Sequence, residues 1–175
     1  MKMNKLPLKY ITKNPIFAII FVVIVSVCVL YEEMTPPQEI QGKILKVYDG
    51  DTITILNNDN EKLRIRLFGL DAPESNQSFG NISTQNLQVL CPVDTLANIK
   101  IKDKDKYGRI VGIVFCNGVN ANANQVKNGF AWAYSEYAYR YIPLEILARI
   151  QKKGLWSEPN PVKPSDFRKN EKGKK

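Results

Sequence analysis

The sequence predicts a mainly β protein of the α+β class, in which helices pack against a small β-barrel. Two observations lead to this class. Segments with strand character follow one another closely in the first part of the domain, and segments with helical character are interspersed after them. In addition, 44% of the residues are hydrophobic and 24% are charged, which is typical of a folded globular protein.

The strand predictions rest on β-branched and apolar runs bounded by turn residues. These runs are residues 40–47, 52–56, 63–68, 96–101 and 110–115. In the third run, apolar residues alternate with Arg64 and Arg66, so both arginines are expected on the polar face of the sheet. Helices are predicted at residues 81–90, 122–128 and 142–153.

The N-terminal part is expected to be a targeting element that precedes the domain. It consists of a basic segment (1–15), an uncharged apolar run (16–31) and a proline-containing linker (32–39). Lysines before the run and glutamates after it favour a cytoplasmic N-terminus and export of the rest. We expect an uncleaved transmembrane signal anchor that holds the domain outside the cytoplasm, in a periplasmic or extracellular space. A cleaved signal peptide followed by secretion is the first alternative, and a buried core helix is the second.

The domain is predicted at residues 40–160, followed by a basic tail at 161–175 that forms a coil and frays into disorder. Residues 151–175 contain eight Lys or Arg against three Asp or Glu, which is five of the net charge of +8. Such a tail favours affinity for polyanions, and a purely solubilising tail is an equal alternative. Cys91 and Cys116 form a plausible disulfide in an oxidising compartment, with two free thiols as the alternative.

Three short motifs supply residues for metal-assisted cleavage of a phosphodiester. They are Asp49-Gly-Asp-Thr52, Arg66-Leu-Phe-Gly-Leu-Asp-Ala-Pro-Glu74 and Asp105-Lys-Tyr-Gly-Arg109. The chain contains no histidine, which excludes histidine acid–base catalysis and histidine-ligated zinc. Asp51 and Asp71 lie on separate loops and can converge on one hard cation, for which oxygen ligands favour Ca²⁺ or Mg²⁺ over Zn²⁺.

The arginines and the glutamate of these motifs complete the inventory. Arg66 and Arg109 can each bind phosphate oxygens in bidentate fashion, and Glu74 can accept a proton from water. Each residue also has a structural reading. Asp-Gly-Asp is a common turn, Arg66 can belong to a solvated strand face, Arg109 can pair with a turn aspartate, and Glu74 can cap the next helix.

The three motifs, in this order and spacing, resemble the thermonuclease (staphylococcal nuclease-like) family from about residue 40 to about residue 168. The resemblance implies a five-stranded OB-fold barrel with about three packed helices. It also implies that Asp51, Asp71 and the backbone carbonyl of Ala72 bind calcium, with Mg²⁺ less favoured. Arg66 and Arg109 then neutralise phosphate charge, and Glu74 positions or deprotonates the attacking water.

The implied reaction is calcium-dependent hydrolysis of the P–O5′ bond in DNA and RNA, which leaves 3′-phosphorylated products. Single strands or frayed duplexes are the preferred substrates, a monomer is expected, and Tyr107 and Tyr134 resemble nucleotide-contacting tyrosines. The chain departs from the staphylococcal enzyme at residues 75–80, where that enzyme has a lysine-rich loop. The alternative function is a non-catalytic OB-fold module that binds single-stranded nucleic acid or a protein partner.

Overall fold

The computed structural model describes residues 15–34, 38–134 and 139–173. The chain divides into two compact units, residues 1–37 and residues 38–175. The first unit contains helix α1 (Pro15–Met34), which includes the apolar run. Among the described residues, no helix is both long enough and apolar enough to cross a membrane. The transmembrane segment predicted at residues 16–31 is thus not confirmed.

The second unit is built around a closed β-barrel. The strands of this unit are β1 (Glu39–Asp49), β2 (Thr52–Asn57), β3 (Lys62–Leu67), β4 (Leu70–Asp71), β5 (Leu96–Lys104), β6 (Ile110–Cys116), β7 (Val119–Asn120) and β8 (Trp132–Ala133). Strands β4 and β8 pair in a separate two-stranded sheet. The main sheet has the order β3-β2-β1-β5-β6-β7, and parallel pairing of β3 with β6 closes it. The five strands β1, β2, β3, β5 and β6 therefore form the predicted α+β barrel, and this prediction is confirmed.

Three predicted helices are found close to their expected positions. The helices of this unit are α2 (Gly80–Leu90), α3 (Ala121–Lys127), α4 (Ile142–Ile150) and α5 (Pro164–Lys172), with short 3₁₀ turns at Tyr139–Tyr141 and Gly154–Ser157. The expectation of a coil in the tail is wrong for residues 164–172. Helix α5 has Pro164 at its start, Asp166 in the first turn and lysines in the last turn, all of which favour a helix.

The core fills the barrel and the space beneath α2 and α3. Its fully buried side chains are mostly β-branched and aliphatic: Ile44, Ile53, Ile55, Ile65, Leu87, Ile99, Val114 and Val126. Cys91, at the end of α2, and Cys116, at the end of β6, are bonded as a disulfide with a Cα–Cα distance of 5.3 Å. The bond ties the C-terminal end of α2 to the last residue of β6 in the barrel.

Candidate active site

The turn between β1 and β2 carries the first buried carboxylate, Asp51. Gly50 in this turn lies so close to α2 that a Cβ atom there would collide with the Ser83 hydroxyl. The buried Gln125 amide donates to the Gly50 carbonyl at 2.6 Å and to the Ser83 carbonyl at 3.0 Å. Helices α2 and α3 thereby clamp the turn, and glycine is required at its centre. This support is long-range and was not predicted from the sequence.

The second buried carboxylate, Asp71, lies in the short strand β4 next to the first. The two carboxylates are linked through Ala72, whose backbone N–H donates to Asp51 Oδ2 at 2.9 Å. Thr52 Oγ1 donates to Asp51 Oδ1 at 3.0 Å. Asp51 is 5% exposed and Asp71 4% exposed. Because ionised carboxylates are costly to bury without compensating charge, both need cations nearby.

Arg66 in β3 supplies part of that charge. Its Nη2 donates to Asp71 Oδ1 at 2.9 Å and to the Leu70 carbonyl at 3.3 Å, and its Nη1 pairs with Asp51. Burial lowers the pKa of Arg66, and the neighbouring charge of Asp71 opposes this shift. Its side chain is 20% exposed, so the reading of Arg66 as a solvated strand residue does not hold.

Glu74 follows Asp71 three residues later and lines a cavity together with Asp51 and Arg66. Helix α2 has Phe79 as its N-cap, without a side-chain cap hydrogen bond, so Glu74 does not cap it. Instead, the Glu74 carboxylate accepts a hydrogen bond of 2.7 Å from Arg168 Nη1. The Glu74 side chain is 38% exposed and can therefore reach a solvent molecule or a substrate in the cavity.

Arg168 is the residue of this site that the sequence interpretation missed. It is carried by α5, and its Nη2 donates to Asp71 Oδ2 at 2.9 Å. Partial burial lowers the pKa of Arg168, but hydrogen bonds to Asp71 and Glu74 outweigh burial and raise it above its usual range. No local pattern indicated this contact, because the sequence places Arg168 in a basic tail where its charge resembles that of the surrounding lysines.

Arg109 reaches the site from the hairpin between β5 and β6. Asp105 Oδ1 accepts the backbone N–H groups of Tyr107 and Arg109, and its Oδ2 accepts Arg109 Nε at 2.7 Å. Arg109 is thus a turn cation paired with an aspartate and also a lining residue of the cavity. The Tyr107 ring is 73% exposed at the mouth of this cavity, where a base can contact it.

A cavity of about 340 Å³ joins these residues. Its lining contains Asp49, Asp51, Thr52, Arg66, Ala72, Pro73, Glu74, Tyr107, Arg109 and Arg168. Burial raises the pKa of Asp49 in this lining, against the opposing charge of Arg66. Six predicted site residues line this cavity: Asp51, Arg66, Ala72, Glu74, Tyr107 and Arg109. Asp71 is joined to it by hydrogen bonds to Arg66 and Arg168, whereas Tyr134 and the two cysteines are not among its lining residues. Tyr134 lines a smaller cavity of about 140 Å³, which Asp71 also lines.

A second, open groove of about 490 Å³ adjoins the cavity and shares Tyr107 and Arg109 with it. Lys62 and Arg64 of β3 line the groove, which makes it basic. The Arg64 guanidinium carbon lies 4.4 Å from the centre of the Tyr48 ring. Positive charge next to exposed aromatic rings is the combination that binds single-stranded nucleic acid.

The donor atoms of the cavity fit a hard divalent cation. Asp51 and Asp71 offer buried carboxylate oxygens, and Ala72, which follows Asp71 and lines the cavity, offers a backbone carbonyl. In the described part of the chain, no three or more acidic or cysteine side chains converge into a ready-made metal site. Because Ca²⁺ takes about six to eight oxygen ligands and accepts waters among them, a site of two carboxylates and one carbonyl suits it.

Comparison with known proteins identifies relatives over most of the chain. A family model described as staphylococcal nuclease homologue matches residues 64–158. An uncharacterized endonuclease of Haemophilus influenzae is 38% identical over 134 residues, which cover 74% of this chain and 74% of that protein. An uncharacterized endonuclease of Escherichia coli is 40% identical over 129 residues, which cover 72% of this chain and 83% of that protein. A micrococcal nuclease of Shigella flexneri is 36% identical over 150 residues, which cover 77% and 83%.

Proposed function

This chain belongs to the staphylococcal nuclease homologue family, and from that premise we propose that it is a nuclease that hydrolyses the P–O5′ bond of DNA and RNA with Ca²⁺ and leaves 3′-phosphorylated products. One observation carries the proposal. The buried Asp51, the exposed Glu74 and the arginines Arg66 and Arg109 line a single cavity. The second buried carboxylate, Asp71, is hydrogen-bonded to Arg66 at the wall of that cavity. A module that only binds nucleic acid needs the basic groove but not this combination of carboxylates and arginines.

The cation would be held by the carboxylates of Asp51 and Asp71 and by the carbonyl of Ala72. When bound, it supplies positive charge that stabilises the negative charge developing on the phosphate. Mg²⁺ suits the set less well, because it requires near-ideal octahedral geometry and gives up its waters reluctantly.

The arginines bind and orient the scissile phosphate. Arg66 is held by Asp51 and Asp71, the carboxylates that would bind the cation, so its guanidinium lies next to the place where the phosphate would meet that cation. Arg109 is fixed by Asp105 through Nε and lines the cavity, so its two terminal nitrogens are left to contact the phosphate. Two guanidinium groups in bidentate contact both neutralise the phosphate and fix its orientation.

Glu74 orients the attacking water or accepts its proton. The Glu74 side chain is 38% exposed, whereas those of Asp51 and Asp71, which also pair with arginines, are 7% and 6% exposed. Because a general base must reach the proton directly, its place at the rim beside the phosphate-binding arginines suits this role. The basic groove beside Tyr107 then receives the adjoining single strand, and this supports the preference for single strands or frayed duplexes.

We also propose that the domain acts outside the cytoplasm, either anchored through residues 16–31 or released after cleavage. The buried Cys91–Cys116 disulfide supports this location, because such bonds persist in oxidising compartments. The charge asymmetry around the apolar run supports it independently. Periplasmic or extracellular activity measured in intact cells, with none in the cytosolic fraction, is the expected result. A fully reduced, cytosolic protein would contradict it.

The test is cleavage of labelled DNA and RNA oligonucleotides by the full chain, with Ca²⁺, with Mg²⁺ and with a chelator. We expect cleavage with Ca²⁺ that stops in chelator and is greatly reduced in Glu74→Gln and Arg109→Ala. Arg140→Ala, an exposed arginine outside the cavity, is the matched control. Absence of cleavage, together with binding that weakens steeply as salt rises, would replace the nuclease by the binding module.

A further inference from the structure

Helix α5 places a third guanidinium on the wall of the cavity, beyond the family match at residues 64–158. Arg168 Nη1 lies 2.7 Å from Glu74 Oε1 and 3.3 Å from Asp71 Oδ1, and its Nη2 lies 2.9 Å from Asp71 Oδ2. One planar group thus bridges a buried carboxylate and an exposed one. The fork geometry of arginine is suited to such bridging, and lysine cannot reproduce it.

The segment that leads into α5 is bound to the loop that carries Glu74. Gln77 Nε2 donates to the Val162 carbonyl at 2.7 Å, and the Ser78 hydroxyl hydrogen-bonds to Glu158. Phe167, next to Arg168, lines a mostly apolar cavity with Pro73 and Gln77. Helix α5 is therefore docked against the loop of residues 73–78, and Arg168 faces the site from a fixed position.

Arg66 and Arg168 both contact Asp71, and Arg168 reaches both of its carboxylate oxygens. Arg66 Nη2 takes Oδ1 at 2.9 Å, while Arg168 Nη2 takes Oδ2 at the same distance. Only Arg168 also contacts Glu74; among the described residues, no other group makes a hydrogen bond to the Glu74 carboxylate. When Arg66 turns to a phosphate, Arg168 can keep the carboxylates of Asp71 and Glu74 in place, because it contacts both of them directly.

We propose that Arg168 is a positioning residue that fixes the Glu74 carboxylate relative to Asp71, so that the C-terminal helix is a functional part of the active site. This inference rests on the proposed nuclease function. Arg168 bonds Glu74 through Oε1 and so leaves Oε2 to act on water, while the same guanidinium fixes the Glu74 carboxylate relative to Asp71, which would hold the cation. Because Arg168 is a cation beside Asp71, it also opposes the binding of Ca²⁺.

The two effects give the proposal a signature that a surface ion pair or a merely structural contact lacks. Loss of Arg168 disorders Glu74 and lowers kcat by about 10- to 100-fold, the range found when a residue that orients a catalytic group is removed. KM changes little, since Arg168 does not bind the substrate. Removal of one positive charge next to Asp71 strengthens Ca²⁺ binding by about 3- to 10-fold. A structural role would lower activity, Ca²⁺ affinity and stability together.

The experiment compares the full chain with Arg168→Ala, Arg168→Lys and Lys169→Ala. Lys169 is on the same helix, is largely exposed and pairs with Asp166, so its variant removes the same charge without touching the site. Steady-state cleavage of an oligonucleotide gives kcat and KM, titration calorimetry with Ca²⁺ alone gives the affinity, and thermal unfolding reports stability. We expect the opposite changes in kcat and Ca²⁺ affinity for Arg168→Ala, partial recovery of kcat in Arg168→Lys, and wild-type kcat and Ca²⁺ affinity for Lys169→Ala.

Three results would overturn the proposal: an unchanged kcat, a raised KM at constant kcat, or Ca²⁺ binding that weakens in Arg168→Ala. Phe167→Ala provides a second test, because undocking of α5 should reproduce the kcat loss of Arg168→Ala while Arg168 is still present. Wild-type chain that fails to cleave in Ca²⁺ would defeat the proposed function instead. Wild-type cleavage with an equally active Arg168→Ala would defeat the role of Arg168 alone.

Discussion

Loss of the Cys91–Cys116 disulfide should destabilise the domain by an amount that follows from its place in the chain. The bond joins residues separated by 25 positions, and both cysteines are fully buried. In the chain-entropy description, closing a loop of this length removes about 11.7 cal/mol/K from the unfolded state, which is about 3.5 kcal/mol at 25 °C. That is a large part of the roughly 5–15 kcal/mol by which domains are stable.

The measurement is guanidinium unfolding of the oxidised wild type, the reduced wild type and the Cys91→Ala/Cys116→Ala variant. We expect reduction to lower the free energy of unfolding by about 3.5 kcal/mol, and the double variant to lose slightly more because it also removes buried sulfur atoms. Reductant should not affect the double variant, which controls for other effects of the reagent. A loss below about 1 kcal/mol in reduced wild type would refute the reasoning.

The same substitution should leave the chemistry intact. Neither cysteine lines the cavity, and the clamp on the Asp51 turn is made by Ser83 and Gln125 rather than by the disulfide. The cleavage rate per folded molecule is therefore expected to match that of the wild type, measured at a temperature well below unfolding. A large fall in that rate would mean that the disulfide sets the position of α2 and, through it, the site.

Three further predictions concern charged residues. Without Ca²⁺, Arg66→Ala should lower the free energy of unfolding by about 2–4 kcal/mol, because Asp51 and Asp71 stay buried with less compensating charge, and Ca²⁺ should restore part of it; equal losses in urea with and without Ca²⁺ would contradict this. Arg64→Ala should raise KM for long single strands several-fold and leave kcat and short substrates unaffected, as steady-state kinetics can establish. The third concerns Asp105, whose pKa is raised by slight burial but lowered overall by hydrogen bonds from Arg109. The ionised carboxylate therefore stabilises the fold above its unfolded pKa of about 3.9, and this contribution is lost as the pH falls through the lower folded pKa. Asp105→Asn should remove that part of the pH dependence in thermal unfolding.

The barrel could be predicted because its signals are local. Alternation in residues 63–67 placed Arg66 on one face of β3, and turn residues separated the strands, so the strand positions in the structure agree with the expected ones to within a few residues. The three motifs could be assigned to one site because their order and spacing resemble those of the staphylococcal nuclease-like family. What the periodicity could not supply is the closure of the barrel by β3 and β6, which pairs residues from distant segments.

The site depends on tertiary contacts to a greater degree than the fold does. Ser83 and Gln125 were not candidates, because a buried serine and glutamine on helices carry no chemical signature until the Gly50 carbonyl is seen against them. Arg168 was hidden for a related reason: in a segment of lysines its charge suggested a general affinity for polyanions, and nothing local indicated that α5 would dock.

The position of Arg168 changes how the charge of this chain should be interpreted. The basic tail was considered as a means of attracting nucleic acid. Its arginine, Arg168, instead forms ion pairs with Asp71 and Glu74, which neutralise its charge. The lysines of α5 remain exposed, so the helix combines a specific contact with a general one. The dependence on salt concentration should therefore distinguish the specific contact of Arg168 from the general attraction of the lysines. Rising ionic strength weakens the attraction of exposed lysines to a polyanion, whereas the Arg168–Asp71 contact involves a carboxylate that is 4% exposed and is screened much less. Substrate affinity that falls with salt, at a kcat that stays nearly constant, is the behaviour that this division of roles requires.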